Sequence, residues 1–141
     1  MYEAIRRLPI HKDVVAFLLA VDDVVANLPR DRWYLRDQIR RAALSVLLNL
    51  REGASETLPR EKARLYRLAK RSAAEAAAGL EIVAEFMPEY HPAILALDRT
   101  ASRITTDLHR LSLLWLTRSR RAGEAGRQAG SGKPTRRPLR P

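Results

Sequence analysis

Apolar residues recur at steps of three and four along most of the chain, and breakers divide them into four helical stretches. The first expected helix starts after Pro9, carries Val14, Leu18, Val21, Val25 and Leu28 on one face, and stops at Leu28-Pro29. The second enters at Asp31 to Tyr34 and sets Leu35, Ile39, Ala42, Val46, Asn49 and Gly53 on one stripe, with Gly53 as a natural stop. The third runs from Pro59, well suited to a first helical turn, to Met87, with Leu65, Leu68, Ser72, Ala76, Gly79, Val83 and Phe86 along its seam. Glu61 in that first turn favours the positive end of the helix dipole. Pro88 to Pro92 breaks the chain. The fourth carries Ile94, Leu97, Ala101, Ile104, Leu108, Leu111 and Trp115 from about Ala93 into the Arg118 region.

No strand pattern competes, so the expected fold class is all-α: an antiparallel up-down four-helix bundle over residues 1–121. Residues 122–141 hold Gly, Pro, Ser, Arg and Lys with almost no apolar content, and are expected to form a disordered basic C-terminal tail. Small residues crowd the third helix at Ala69, Ser72, Ala73, Ala76, Ala77 and Gly79, so a neighbouring helix must come close there. Gly79 costs roughly 1 kcal/mol of helix propensity against alanine, and close backbone contact is the expected compensation.

Composition narrows the class. With 141 residues and 46% hydrophobic content, one core suffices and wholesale disorder is excluded. The absence of cysteine removes disulfides, thiolate metal sites and a Cys nucleophile together. Arg6 and Arg7 ahead of Val14 to Val21 imitate a signal peptide, but Asp22 and Asp23 close that run at once. No apolar run approaches the ~18 residues that span a bilayer, so no membrane partner and a cytoplasmic location are expected.

Charge is concentrated in two places. Of the net +10, Thr117 to Pro141 contributes eight bases and one acid, and Arg30 to Arg71 twelve bases against five acids. Polyanions are the natural partners of both regions; the plainer alternative is that the tail serves solubility. The third helix lines up Arg60, Arg64, Arg67 and Arg71 on one face with Lys70 nearby, and Arg118, Arg120 and Arg121 follow the fourth helix. These eight residues are the candidate nucleic-acid-binding set. Aromatics do not interleave with the stripe, so sequence-tolerant phosphate binding is favoured over base stacking.

The remaining candidates are structural. Asn49 reads as a polar residue fixing helix register, and Glu75 as the partner of Arg71, Arg40 or Arg41 in a boundary ion pair. Leu44, Leu48 and Leu113 point away from their seams, which marks them as an oligomer interface. No catalytic pattern emerges. His11, His91 and His109 are isolated and lack a glutamate three residues earlier, and Glu81, Glu85 and Glu89 read as a solvated acidic face. Gly126 to Lys133 resembles a phosphate loop, but is one residue too long and has Pro134 in place of the hydroxyl residue. No metal, cofactor or catalytic residue is expected.

The run Gln38-Ile-Arg-Arg-Ala-Ala-Leu-Ser-Val46, then Asn49-Leu-Arg-Glu-Gly53, then Ser72 to Glu75 and Gly79-Leu-Glu81, resembles the four-helix-bundle proteins known as 23S ribosomal RNA intervening-sequence proteins. These are similar to the accessory variability determinants of diversity-generating retroelements. The resemblance covers about residues 10–118. It implies an antiparallel four-helix protomer in a ring-like homopentamer and, in the retroelement branch, a basic surface engaging nucleic acid and a reverse transcriptase. Leu47-Leu48 and Arg51 depart from the family's usual small residues and alanine, which leaves the branch open. Two functions follow as expectations: a non-enzymatic oligomer binding RNA or DNA through phosphates, or an adaptor that holds an enzyme partner without touching nucleic acid itself.

Overall fold

The computed structural model describes residues 2–130. A short helix α1 (Tyr2–Arg6) precedes four long ones: α2 (Ile10–Ala26), α3 (Trp33–Ser55), α4 (Pro59–Phe86) and α5 (His91–Gly130). Single 3₁₀ turns, Arg30–Arg32 and Pro88–Tyr90, join α2 to α3 and α4 to α5. Each long helix packs on its chain neighbour, and α5 closes against α2, so the four form one up-down bundle with α3 and α5 across the diagonal. Among the described residues there is no strand, and no helix is long and apolar enough to cross a membrane.

The core follows the periodic positions. Val14, Val21 and Val25 of α2 meet Ile39, Val46 and Leu50 of α3, Leu80 and Val83 of α4, and Ile104 and Leu108 of α5, all buried. Phe17 completes α2's inner face, while Leu18 is only half-buried. The α4 seam is rotated from its expected line: Tyr66, Ala69, Ala73 and Leu80 are buried beside Leu65, Ser72, Ala76 and Val83, and Phe86 is exposed. An alanine-rich helix has no bulky residues to mark its inner face, so periodicity reads it less sharply.

The helix ends are held by specific groups. Arg36 reaches back from α3 and donates from Nε to the Val25 carbonyl at 3.2 Å and from Nη2 to that of Leu28 at 3.1 Å, capping α2. The Glu56 carboxylate accepts from the Thr57 and Leu58 amides at 2.7 and 2.8 Å ahead of α4, and these bonds hold it below its ordinary carboxylate value. Tyr90 donates to the Asn27 carbonyl at 2.7 Å, tying the α2–α3 and α4–α5 turns at one end of the bundle.

Three expectations need correction. Gly53 does not stop α3, which continues to Ser55; a Cβ there would lie 2.7 Å from Cε1 of the buried Tyr66, so the glycine exists for that approach. Asn49 is not a buried seam residue: Leu50 takes that place, and Asn49 donates to Ser45 of its own helix, to O at 2.9 Å and Oγ at 3.1 Å. The link across α3 and α4 is Ser45 Oγ to Ser72 Oγ at 2.9 Å, with Asn49 only buttressing it. Finally, α5 does not end near Arg121 but continues to Gly130, with residues 120–130 exposed; the rest of the expected tail, 131–141, lies outside the described residues. Arginine, alanine and glutamate between Arg118 and Gln128 are good helix formers, and extending an existing helix needs no new nucleus.

Gly79 meets its expectation. A Cβ there would fall 2.6 Å from Ile39 Cγ1, so α3 and α4 touch nearly backbone to side chain.

Candidate nucleic-acid interface

The basic stripe of α4 arises from its register. Tyr66, Ala69, Ala73 and Leu80 turn inward, which leaves Arg60, Arg64, Arg67 and Arg71 on the opposite face, all exposed. Arg64 pairs with Glu61 at 2.8 Å and Arg71 with Glu75 at 3.3 Å, both in water. Exposed pairs of this kind contribute about 0–1 kcal/mol, so a phosphate can displace the carboxylates. Arg60 and Arg67 form no ion pair among the described residues. Lys70 leans toward α5, its Nζ 3.4 Å from His109 Nδ1.

At its amino-terminal end this stripe meets the part of α5 that outruns the bundle. Leu58, Pro59, Arg60, Glu61, Arg64 and Arg67 form one wall of a groove of about 500 Å³, and Ser119 and Ala122 form the other. Arg118, Arg120 and Arg121 stand exposed on the same segment of α5. Two charge concentrations far apart in sequence thus converge at one end of the molecule. The small side chains of Ser119 and Ala122 keep the groove open between them.

A feature absent from the sequence-based expectations anchors this corner. Lys62 is only 9% exposed; its ammonium donates to the Ala54 carbonyl at 3.2 Å, at the negative end of α3, and lies 4.8 Å from the centre of the Trp115 ring. Burial lowers its pKa, with Glu56 acting the other way. The Arg118 guanidinium lies 4.5 Å from the same ring. Trp115 therefore fixes where α5 leaves the bundle and where the Arg118 segment begins. A signal was present: Lys62 falls on the inner stripe with Leu65, Tyr66 and Ala69.

Other expected residues scatter. Glu75 takes Arg71 as its partner, whereas Arg40 goes to Asp22 of α2 at 2.6 Å, and Arg41 is exposed with no ion pair among the described residues. Leu44 and Leu48 of α3 and Leu113 of α5 are each about half exposed. Because α3 and α5 are diagonal, they make two separate apolar spots rather than one. Among the described residues no group of three or more His, Asp or Glu side chains is placed to hold a metal ion.

Four antiparallel helices closed around one core, with cationic faces on α4 and α5, define the class as an all-α four-helix-bundle protein. Within that class, the chain belongs to the 23S rRNA-intervening sequence protein family, whose model matches residues 6–89. That span ends in the turn before α5, so the α4 stripe lies inside the match and the Arg118 segment outside it. No curated protein matches the chain.

Proposed function

We propose that this protein is a non-enzymatic, oligomeric bundle that binds RNA or DNA through phosphate contacts. The observation that carries the reading is the groove in which Arg60, Arg64 and Arg67 of α4 face the base of the arginine-bearing segment of α5. Guanidinium groups spread along a helix, with Arg64 held only by an exposed pair to Glu61, can make paired bonds to phosphate oxygens and suit a backbone-directed and sequence-tolerant contact. The exposed Leu44 and Leu48 on α3, and Leu113 on α5, supply subunit contacts; the homopentamer of the related ring-forming proteins is the assembly we favour. A reverse transcriptase of a diversity-generating retroelement is the enzyme such an assembly would serve.

Salt dependence of RNA and duplex DNA binding by the purified full chain tests the reading. With four phosphates neutralised, duplex affinity should fall about 150-fold between roughly 50 and 200 mM salt. Replacing Arg60 and Arg67 by alanine should flatten the slope by about two units. Binding that ignores salt, or a slope unchanged by the double substitution, refutes the assignment. Absence of any retained nucleic acid would favour the adaptor role instead.

A further inference from the structure

Lysine and arginine are missing from one long stretch of this basic chain: Ser72 to Asp98 holds five carboxylates and neither residue. Three of the five line one groove. Glu81, Ala84 and Glu85 of α4 face Ile94, Leu95 and Asp98 of α5 across a space of about 340 Å³, with His91 completing the lining. Steps of three and four place each set on one face of its helix. Ile94 is buried and Ala84 half-buried, so the floor is apolar, and Leu95 is 44% exposed. Glu81, Glu85 and Asp98 take part in no ion pair among the described residues. Arg99 does not line the groove, and Arg103 is turned to the Thr100 hydroxyl at 3.5 Å. The exposed rings of Trp33, Tyr34 and Phe86 at the same end of the bundle lie outside the groove. They already hold a cation, the Arg32 guanidinium, 5.4 Å from the centre of the Phe86 ring and bonded to the Tyr34 hydroxyl at 3.2 Å.

An apolar floor between unpaired carboxylates suits a cationic segment with apolar side chains of its own, and this protein carries one. Residues 131–141, Ser-Gly-Lys-Pro-Thr-Arg-Arg-Pro-Leu-Arg-Pro, lie outside the described residues and hold four bases, three prolines, one leucine and no acid. Bound as a polyproline II helix with three residues per turn, the segment would set Arg137 and Arg140 along one edge and Pro138 and Pro141 along the next. A proline-rich segment biased to that form loses little freedom on docking. Reach decides whose segment it is. From Gly130 back to Asp98 along α5 is about 48 Å at the helical rise. The eleven residues from 131 to 141, fully extended, span at most about 40 Å. The occupant therefore comes from a second copy. The basic groove at the other end is no rival for it, because Arg60, Arg64 and Arg67 repel the same charges.

We infer that the groove of Glu81, Glu85, Leu95 and Asp98 is a docking site for the arginine- and proline-rich segment 131–141 of a second copy of this chain. The contact joins different patches of the two copies, so it is heterologous and passes from one subunit to the next. It rests on the oligomeric part of the function proposed above and needs none of its phosphate contacts. It is also separate from the contacts assigned to Leu44, Leu48 and Leu113.

Two measurements test it. In the first, fluorescence anisotropy follows a labelled peptide of residues 131–141 titrated with the full chain carrying Arg136→Glu, Arg137→Glu and Arg140→Glu, whose own segment cannot compete. The peptide should bind. Adding Glu81→Lys and Glu85→Lys should weaken it about ten-fold, with circular dichroism verifying that helicity is kept. A peptide of the same charge with its prolines and leucine replaced by glycine should bind about three-fold more weakly. No binding, equal binding after the groove substitutions, or equal binding of the glycine peptide overturns the inference. In the second, light scattering gives the mass of full chains against concentration. The chain with the acidic segment and the chain with the basic groove should each need about ten-fold more protein to associate than the native chain. Mixing the two should restore association, since the intact groove of one meets the intact segment of the other. A mixture no heavier than its components overturns the inference. An oligomer whose mass ignores both sets of substitutions also overturns it and leaves the leucine contacts standing, whereas a native chain that stays single at every concentration removes both.

Discussion

Gly79→Ala places two opposing effects in one methyl group. Alanine in a helix interior is favoured over glycine by roughly 1 kcal/mol, and Gly79 lies well inside α4, so an isolated helix would gain that amount. In the bundle the new Cβ would sit 2.6 Å from Ile39 Cγ1, about 1 Å inside an ordinary carbon–carbon contact. Ile39 is 1% exposed and β-branched in a helix, where one rotamer dominates, so its Cγ1 cannot swing clear. The relief must come from parting α3 and α4, whose contact there is backbone to side chain. Overpacking of this kind costs about 1–3 kcal/mol and can exceed that where a helix pair must separate.

The expected net result is a loss of about 1–2 kcal/mol, or roughly 3–8 °C in Tm for a domain of this size. Urea and thermal unfolding followed by circular dichroism at fixed protomer concentration read it directly. The decisive arm is the cycle with Ile39→Ala. With the isoleucine truncated, Gly79→Ala should become neutral or stabilising by up to about 1 kcal/mol, giving a coupling of about 1–3 kcal/mol. If Gly79→Ala stabilises the native background as much as the Ile39→Ala background, the helices do not approach as described and the explanation of the small-residue stretch is wrong.

Two further outcomes follow from polar groups near the core. Ser45→Ala or Ser72→Ala alone leaves the other hydroxyl of the 2.9 Å pair short of one partner and should cost about 1–2 kcal/mol, whereas the double replacement should cost less than the sum, as urea unfolding of the four proteins would reveal. Additive losses would show that the pair does not join α3 to α4. Burial, with Arg51 and then Arg6 adding positive charge, holds the His11 imidazole below its ordinary 6.5, and its Nε2 is buried without a partner. The folded state therefore favours neutral His11: its share of stability is full above pH 6.5 and is lost as pH falls through the depressed folded value. His11→Gln should lose less stability than the native chain between pH 7 and about 5, a range ending above the pKa of Glu56; equal losses in the two proteins would refute this.

The fold was legible wherever large apolar residues marked a helix face. The steps from Ile94 to Leu108 in α5 and from Val14 to Val25 in α2 locate the core directly, because burial of such side chains dominates helix placement. Legibility fails where the signal is a small residue. Gly53 reads as a helix stop, yet has no positive φ and is kept for the Tyr66 ring. Asn49 reads as a seam residue because it keeps the step of three from Val46, although Leu50 at the step of four is the one buried. The end of α5 fails for another reason. Once a helix outruns the bundle it has no inner face, periodicity disappears, and Gly123 and Gly126 look like loop although each costs the extended helix only about 1 kcal/mol.

The candidate site was half legible for a related reason. Each basic run is visible in the chain, but their convergence depends on α4 starting at the end where α5 leaves the bundle, a property of topology rather than of either segment. The aromatic end is the stronger case. Trp33 and Phe86 are 53 positions apart; on α3 only Tyr34 stands beside Trp33, and on α4 Phe86 is a lone exposed ring. Only the antiparallel pairing of α3 with α4 brings the start of one to the finish of the other, with Arg32 between the rings. The same register that Gly79 and Ser72 set in the core therefore gathers these rings at one end of the bundle, separated along α4 from the arginine stripe by Glu75, Glu81 and Glu85.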